Sequence, residues 1–406
     1  MSKYRDIMGR VNYALFLVVA ALLPFPQIFL RYACVAWIIA WVLELRWLQI
    51  PNLQSPISNL KSKIPFLLFG LWFIAHVVSG LWAPDQGAWG TQIERYISFG
   101  ALIPVGIWGV NERYDWRQIG KVLIISCLCA IVVYPALLTF LLHHRAFIDT
   151  YHWTAPLWDY SSLDWWSFYA VNLPHIKHNL FLCLIIYVAA LIAVELYRGR
   201  WYLLVSIELL LFSFTFLTGS RQAVLAGIVV IIGIVLTELP RRLRRYSQGI
   251  VWVGIAIGIT LLAFHPRMQI ERLQQEPRVN IWHMALEHPQ DYIAHGLGGG
   301  QSTGYMVHKY EENNAFFYAI MRYHCHNQYL EELMELGIGG LVLFLLAWAS
   351  IPLCASGRGR KTAWLFCIMM LLSMLTESVF AVFCGVALWA VSMIFIRLQS
   401  DGEREE

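Results

Sequence analysis

Four short stretches of the chain hold the side chains that could do chemistry. In His324-Cys325-His326-Asn327 two histidines precede an apolar helical pattern that runs on through Gly337-Ile338-Gly339-Gly340. Imidazole exchanges a proton near neutral pH, so His326 is a candidate general base. His324, two residues away, is its rival and would not share a helical face with it. Pro277-Arg278-Val279-Asn280-Ile281-Trp282 reads as an amphipathic helix lying on a surface. Its Arg278 can hold a phosphate oxygen bidentately and stays charged at any relevant pH. Thr218-Gly219-Ser220-Arg221 lies where one apolar run ends and the next begins. Ser220 can cap the new helix, whose free N–H groups and positive dipole end then sit beside Arg221, a combination that suits a phosphate. His295-Gly296-Leu297-Gly298-Gly299-Gly300 resembles a phosphate cradle only superficially. No Lys-Ser/Thr follows it and no parallel strand precedes it, so a flexible turn is the better reading.

Plainer readings satisfy the same spacings. Arg221 fits a capped turn with a snorkelling arginine, Arg278 a surface ion pair with Glu276 or Glu287, and His326 a simple interface histidine. Glu331, Glu332 and Glu335 fall one to three turns below His326, where Glu332 or Glu335 can hydrogen-bond within a helix bundle. No carboxylate pair announces a glycosidase-like acid and base. A metal site is not expected, because no HxxxH or HExxH pair sits on a helical pattern. Seven of the eight cysteines fall in apolar runs, only Cys325 is near the polar segment, and there is no CxxC.

The elements that must position these residues are membrane helices. Of 406 residues, 58% are hydrophobic and only 14% charged, and mean hydropathy is +0.56. Apolar runs of membrane length recur throughout without the alternation of an outer-membrane barrel. The sequence predicts an all-α polytopic protein with about twelve spans, roughly 11–30, 32–47, 64–83, 95–110, 119–142, 176–197, 201–218, 221–239, 250–265, 327–353, 362–379 and 380–398. With the N-terminus in the cytoplasm, 20 of the 30 basic residues fall on inner loops. That split follows the positive-inside rule and puts both termini in the cytoplasm. The net charge of +4 is thus a matter of topology, and nucleic acid is not an expected partner. No cleavable signal peptide is evident. Twelve of the thirteen histidines fall at the outer face or its border, and only His76 is placed mid-span. Residues 1–406 read as one integral membrane domain with two long outer segments, about 143–175 and 266–326, the second between helices 9 and 10.

Together these residues resemble the O-antigen ligase and polymerase superfamily of bacterial inner-membrane proteins. The resemblance rests on Thr218-Gly-Ser-Arg221 opening a span, Arg278 with Trp282 four residues on, the His295 glycine loop, and above all His326-Asn-Gln-Tyr-Leu-Glu-Glu-Leu-Met-Glu-Leu-Gly-Ile-Gly-Gly340. It implies a GT-C-type glycosyltransferase, needing neither metal nor nucleotide cofactor, with its site facing the periplasm. The donor would be a glycan on undecaprenyl diphosphate, and the acceptor a lipid A core sugar in a ligase or another lipid-linked repeat in a polymerase. On that resemblance His326 would be the base and Arg221 and Arg278 would hold the diphosphate. Ser220, Asn327, Trp282, His324 and Gly298 are the expected substrate contacts. A transporter or flippase is the more distant alternative, disfavoured because mid-span ionisable residues are scarce.

Overall fold

The computed structural model describes residues 2–44, 61–111, 113–149, 179–197, 199–217, 220–238, 277–402 and the single residues 249, 252 and 256. All regular structure among them is helical: α1 Ser2–Leu22, α2 Gln27–Glu44, α3 Ile64–Val78, α4 Gln86–Pro104, α5 Trp116–Asp149, α6 Asn179–Tyr197, α7 Trp201–Leu217, α8 Arg221–Glu238, α9 Pro277–Ala285, α10 Ser302–Glu312, α11 Phe316–Ile320, α12 Gln328–Cys354, α13 Gly357–Met374 and α14 Phe383–Gly402. Six helical stretches are long and apolar enough to cross a membrane: Gln27–Glu44, Ile64–Leu81, Trp116–Tyr134, Leu180–Tyr197, Gln328–Cys354 and Phe383–Asp401. Two shorter apolar stretches, Tyr202–Thr215 and Gln222–Glu238, lie in α7 and α8. Large apolar side chains stay exposed along these helices, among them Ile28, Phe29, Leu71, Ile74, Leu209 and Leu346. Such unpartnered faces suit lipid, and the chain is a multi-pass membrane protein.

Several boundaries differ from the sequence expectation. The expected span 95–110 is a helix that starts nine residues earlier, at Gln86, because Asp85 caps it by accepting from the N–H groups of Gly87 (2.8 Å) and Ala88 (3.0 Å). It ends in a π-helical turn, Val105–Gly109. The expected pair 362–379 and 380–398 is instead Gly357–Met374 and Phe383–Gly402, leaving residues 375–382 as a connection. α1, α4 and α13 do not reach the length and apolarity of the six spans. The expected span 250–265 and most of the segment 143–175 lie outside the described residues.

The chain divides into two compact units. One comprises residues 15–35 and 115–273. There α6 is buried from Leu180 through Val194, as a helix apolar on every side must be. The Tyr187 hydroxyl donates to the Ala223 carbonyl of α8 at 2.6 Å. The other unit comprises residues 1–14, 36–114 and 274–406. Its centre is an aromatic cluster in which Phe69 and Trp72 of α3 meet Phe99, Trp348, Phe380 and Trp389, all fully or nearly fully buried. Against one end of α12 lies a second, smaller core of Ile281, Met284, Tyr292, Met306, Tyr310, Cys325 and Met334, which docks α9, α10 and α11 onto α12.

The glycine loop packs into a break in α12. Gly337 has φ +69 and ψ −169 inside the helix. The carbonyls this break frees accept from the loop: Leu297 N–H donates to Met334 O (2.8 Å) and Gly298 N–H to Glu335 O (3.0 Å). In return Ile338 N–H donates to Ile293 O (2.8 Å). A Cβ on Gly337 would meet Gly296 N at 2.8 Å and Ala294 O at 2.9 Å, besides straining a positive φ. Gly337→Ala is therefore expected to destabilise the protein by about 1–3 kcal/mol, lowering its melting temperature in detergent. Gly339→Ala, where a Cβ meets nothing within 4 Å, should leave it unchanged.

Candidate active site

The site forms where α12 begins. Asn327 is the N-cap, its side-chain oxygen accepting from the N–H groups of Tyr329 (3.0 Å) and Leu330 (3.2 Å). That oxygen is engaged in starting the helix. Just before it, His326 adopts φ +49, a left-handed conformation uncommon outside glycine. The turn brings the His326 ring to 3.9 Å from that of His324, centroid to centroid. Trp282 Nε1 donates to the Cys325 carbonyl at 2.9 Å, so α9 is pinned to this turn. One helical turn back along α9 is Arg278.

Arg278 and His326 converge on one carboxylate, Glu377, in the connection between α13 and α14. His326 Nδ1 lies 3.3 Å from Glu377 Oε1, and Arg278 Nη2 lies 3.6 Å from Oε2. Among the described residues His326 Nε2 has no hydrogen-bond partner, and the side chain is 25% exposed. A carboxylate on Nδ1 fixes the tautomer and ring orientation and leaves Nε2 to meet a proton.

His324 is engaged differently. Its Nδ1 lies 2.9 Å from Glu331 Oε1, 3.2 Å from the His326 N–H and 3.4 Å from Ser378 Oγ. Burial disfavours its charge, but the hydrogen bond and charge of Glu331 outweigh burial, with help from Glu377 and against Arg95, so its pKa stands above the ordinary value. Burial pushes the Cys325 thiol well up, with Glu331 and Glu335 adding to the effect, which disfavours the thiolate. His324, His326 and Glu377 each offer a ligand atom within 4.8 Å of the others, a geometry that could hold a cation. The Arg278 guanidinium on the same carboxylate opposes one.

Behind this site lies a fully buried polar cluster. Glu332 Oε2 accepts from Trp72 Nε1 (2.7 Å) and lies 3.1 Å from His76 Nε2, while Oε1 accepts from Gln328 Nε2 (2.9 Å). Glu335 accepts from Ser302 Oγ (2.6 Å) and Gln92 Nε2 (3.4 Å), and its Oε2 lies 3.6 Å from His76 Nδ1. The expected hydrogen bonding of Glu332 and Glu335 within the bundle is thus present. His76 lies in the last turn of α3 rather than mid-span, beside the start of α12.

The structure therefore brings His326, His324, Arg278, Trp282 and Asn327 together. The glycine loop is packed rather than free, with Gly298 buried, its N–H on Glu335 O and its Cα hydrogens against Ala83. Ser220 caps α8 as expected, its Oγ accepting from Ala223 N–H at 3.3 Å, whereas the Arg221 side chain lies outside the described residues. Sequence reasoning missed Glu377, because it fell inside the expected span 362–379. An acid between two apolar runs, in Thr376-Glu377-Ser378, was the available signal.

Residues 206–345 match the family model described as O-antigen ligase. Over this stretch the chain is similar to that family, in line with the resemblance to the O-antigen ligase and polymerase superfamily. The match covers about a third of the chain and takes in Ser220, Arg278, Trp282, His324, His326 and the break at Gly337. His76 and Glu377 lie outside it. No curated protein sequence matches the chain. Proteins of that family are membrane glycosyltransferase-like enzymes that act on lipid-linked glycans.

The His324–Glu331 pair sets a pH dependence. Because the folded pKa of His324 is raised, the pair's stabilisation is complete below the ordinary value of 6.5 and is lost as pH rises through the higher folded value. Glu331→Gln should therefore be less stable than wild type in mildly acidic detergent solution, with the gap closing toward alkaline pH. Thermal melts across that range test it, and a gap independent of pH would count against the pair.

Proposed function

We propose that the protein is an O-antigen ligase. It transfers a glycan from undecaprenyl diphosphate to a sugar hydroxyl of the lipid A core, at the periplasmic face of the bacterial inner membrane, as a GT-C-type enzyme. The observation that carries this reading is the arrangement around Glu377: a carboxylate on His326 Nδ1, an unpartnered Nε2, and Arg278 on the same carboxylate. A polymerase joining lipid-linked repeat units is the alternative reading within the same chemistry.

A diphosphate is already a good leaving group, so the protein need mainly offset its charge. The acceptor hydroxyl is the poor partner and needs a base. His326 Nε2 takes its proton, the hydroxyl oxygen bonds to the anomeric carbon, and the bond from that carbon to the diphosphate breaks. The lipid diphosphate leaves with the bond's electrons. Attack opposite the leaving group inverts the anomeric centre. Glu377 stabilises the imidazolium as it forms, and Arg278 offsets charge on the departing diphosphate. For Arg221, at the start of α8, a diphosphate-holding role rests on the resemblance alone. His324, whose Nδ1 is engaged by Glu331, supports the His326 turn rather than acting as the base. The chemistry calls for neither a metal nor a nucleotide.

With purified protein and defined lipid-linked donor and acceptor, His326→Ala should lower kcat by about 10²–10⁴, and Arg278→Ala by about 10²–10³. Near-normal turnover by a folded His326→Ala protein would remove it as the base. Activity should persist undiminished in EDTA. In cells, deletion should leave the lipid A core uncapped while lipid-linked polymer accumulates. Single repeats still attached to the core, with longer chains lost, would instead indicate the polymerase.

A further inference from the structure

The cluster behind the site is wired to it by hydrogen bonds of fixed direction. Gln328 is fully buried and its amide meets Glu332, Phe380 and the Tyr96 hydroxyl: Nε2 donates to Glu332 Oε1 at 2.9 Å, and Oε1 accepts from the Phe380 N–H at 3.0 Å. Phe380 is the middle residue of the short 3-10 turn Val379–Ala381, three residues after Glu377. The next residue after Glu377, Ser378, has its hydroxyl 3.4 Å from His324 Nδ1. Glu332 is an acceptor only, and its other oxygen already faces Trp72 Nε1 and His76 Nε2. The Tyr96 hydroxyl can donate or accept, so it is the carboxylate at 332 that decides which way the Gln328 amide turns, and that decides whether the buried Phe380 N–H finds an acceptor. The aromatic packing of the Phe380 ring fixes where the turn sits but has no direction of its own, so this N–H bond sets the orientation of the backbone that carries Glu377.

We propose that Glu332, held by His76 and Trp72, is a positioning residue that acts through Gln328 and Phe380 to set Glu377 on His326. The inference rests on the reading of His326 as the base. It assigns a role to His76, which the family match leaves out. The groups facing His326 are Glu377, His324 and Tyr323, with Arg278 on the other oxygen of Glu377, and of these it is Glu377 that the network moves.

The polarity of the chain of bonds supplies the test. In Glu332→Gln the new amide must turn its oxygen to Trp72 and His76 and its NH2 to Gln328. Gln328 must then turn its own oxygen to residue 332, which sets its NH2 against the Phe380 N–H, donor to donor. Adding Gln328→Glu restores the bonds to residue 332 and to Phe380, because a carboxylate at 328 accepts from both, and the Tyr96 hydroxyl can donate to it. Glu335→Gln is the comparison: it is as buried and also faces His76, but it bonds Ser302 and Gln92 instead of Gln328.

In the full-length protein with defined lipid-linked donor and acceptor, Glu332→Gln is expected to lower kcat by about ten- to a hundredfold, the scale of losing a group that orients a reacting side chain. KM for the donor should change little, and the pH profile of kcat should shift. Gln328→Glu with Glu332→Gln should return kcat to within about threefold and restore the profile, while Glu335→Gln should leave the profile in place. Rates are taken per folded protein, judged by thermal melting. A folded Glu332→Gln with wild-type kcat and profile, or a double variant as slow as the single, overturns the inference. His326→Ala in the same assay separates the two readings. If it is inactive and Glu332→Gln is normal, only the positioning role falls; if it turns over normally, the base assignment falls and this inference with it.

Discussion

Three glutamates stand within five residues of α12, and none can be buried without donors. An ionised carboxylate moved out of water costs several kcal/mol unless hydrogen bonds and opposite charge replace its hydration. Each of the three meets that demand by drawing in a different part of the chain: Glu331 takes His324, Glu332 takes Trp72, His76 and Gln328, and Glu335 takes Ser302 and Gln92. One short stretch of helix thereby gathers α3, α4, the start of α10 and the turn before α12. The break at Gly337 completes the assembly, because an interrupted helix frees carbonyls that the glycine loop then satisfies.

The site follows from that assembly. The turn through His324 and His326 is held at one end by the Asn327 cap, from behind by Glu331, and from the side by Trp282 on the Cys325 carbonyl. His326 keeps its left-handed φ because these contacts over-determine it. Glu377 arrives from the far side of α13, and it is the one carboxylate shared by the histidine and the arginine. The charged groups thus sit at the edge of the apolar core, where fields are less screened than in water.

Much of this was legible beforehand. The His326-Asn327 start of a helix, Arg278 one turn from Trp282, the Ser220 cap and the family resemblance were legible in short stretches of sequence, because capping and helical periodicity act over a few residues. The glycine loop was harder. Its glycines look like a flexible turn, yet the reason for Gly296 and Gly337 is the close approach of two backbones about forty residues apart, which no local pattern shows. Glu377 was hidden for another reason: hydropathy averages over a window, and one acid between two apolar runs disappears into a span.

The sequence by itself determined a helical membrane protein with a likeness to the O-antigen ligase family and offered His326 and Arg278 as candidates, since apolar length, caps and short motifs are local properties. Only the tertiary structure decided that Glu377 serves His326 and Arg278 together, that His324 belongs to Glu331, and that His76, alone in an apolar run, faces two glutamates more than 250 residues away. The physical reason is that buried charge is satisfied in space rather than along the chain, and its partners are chosen by whichever helices pack against it.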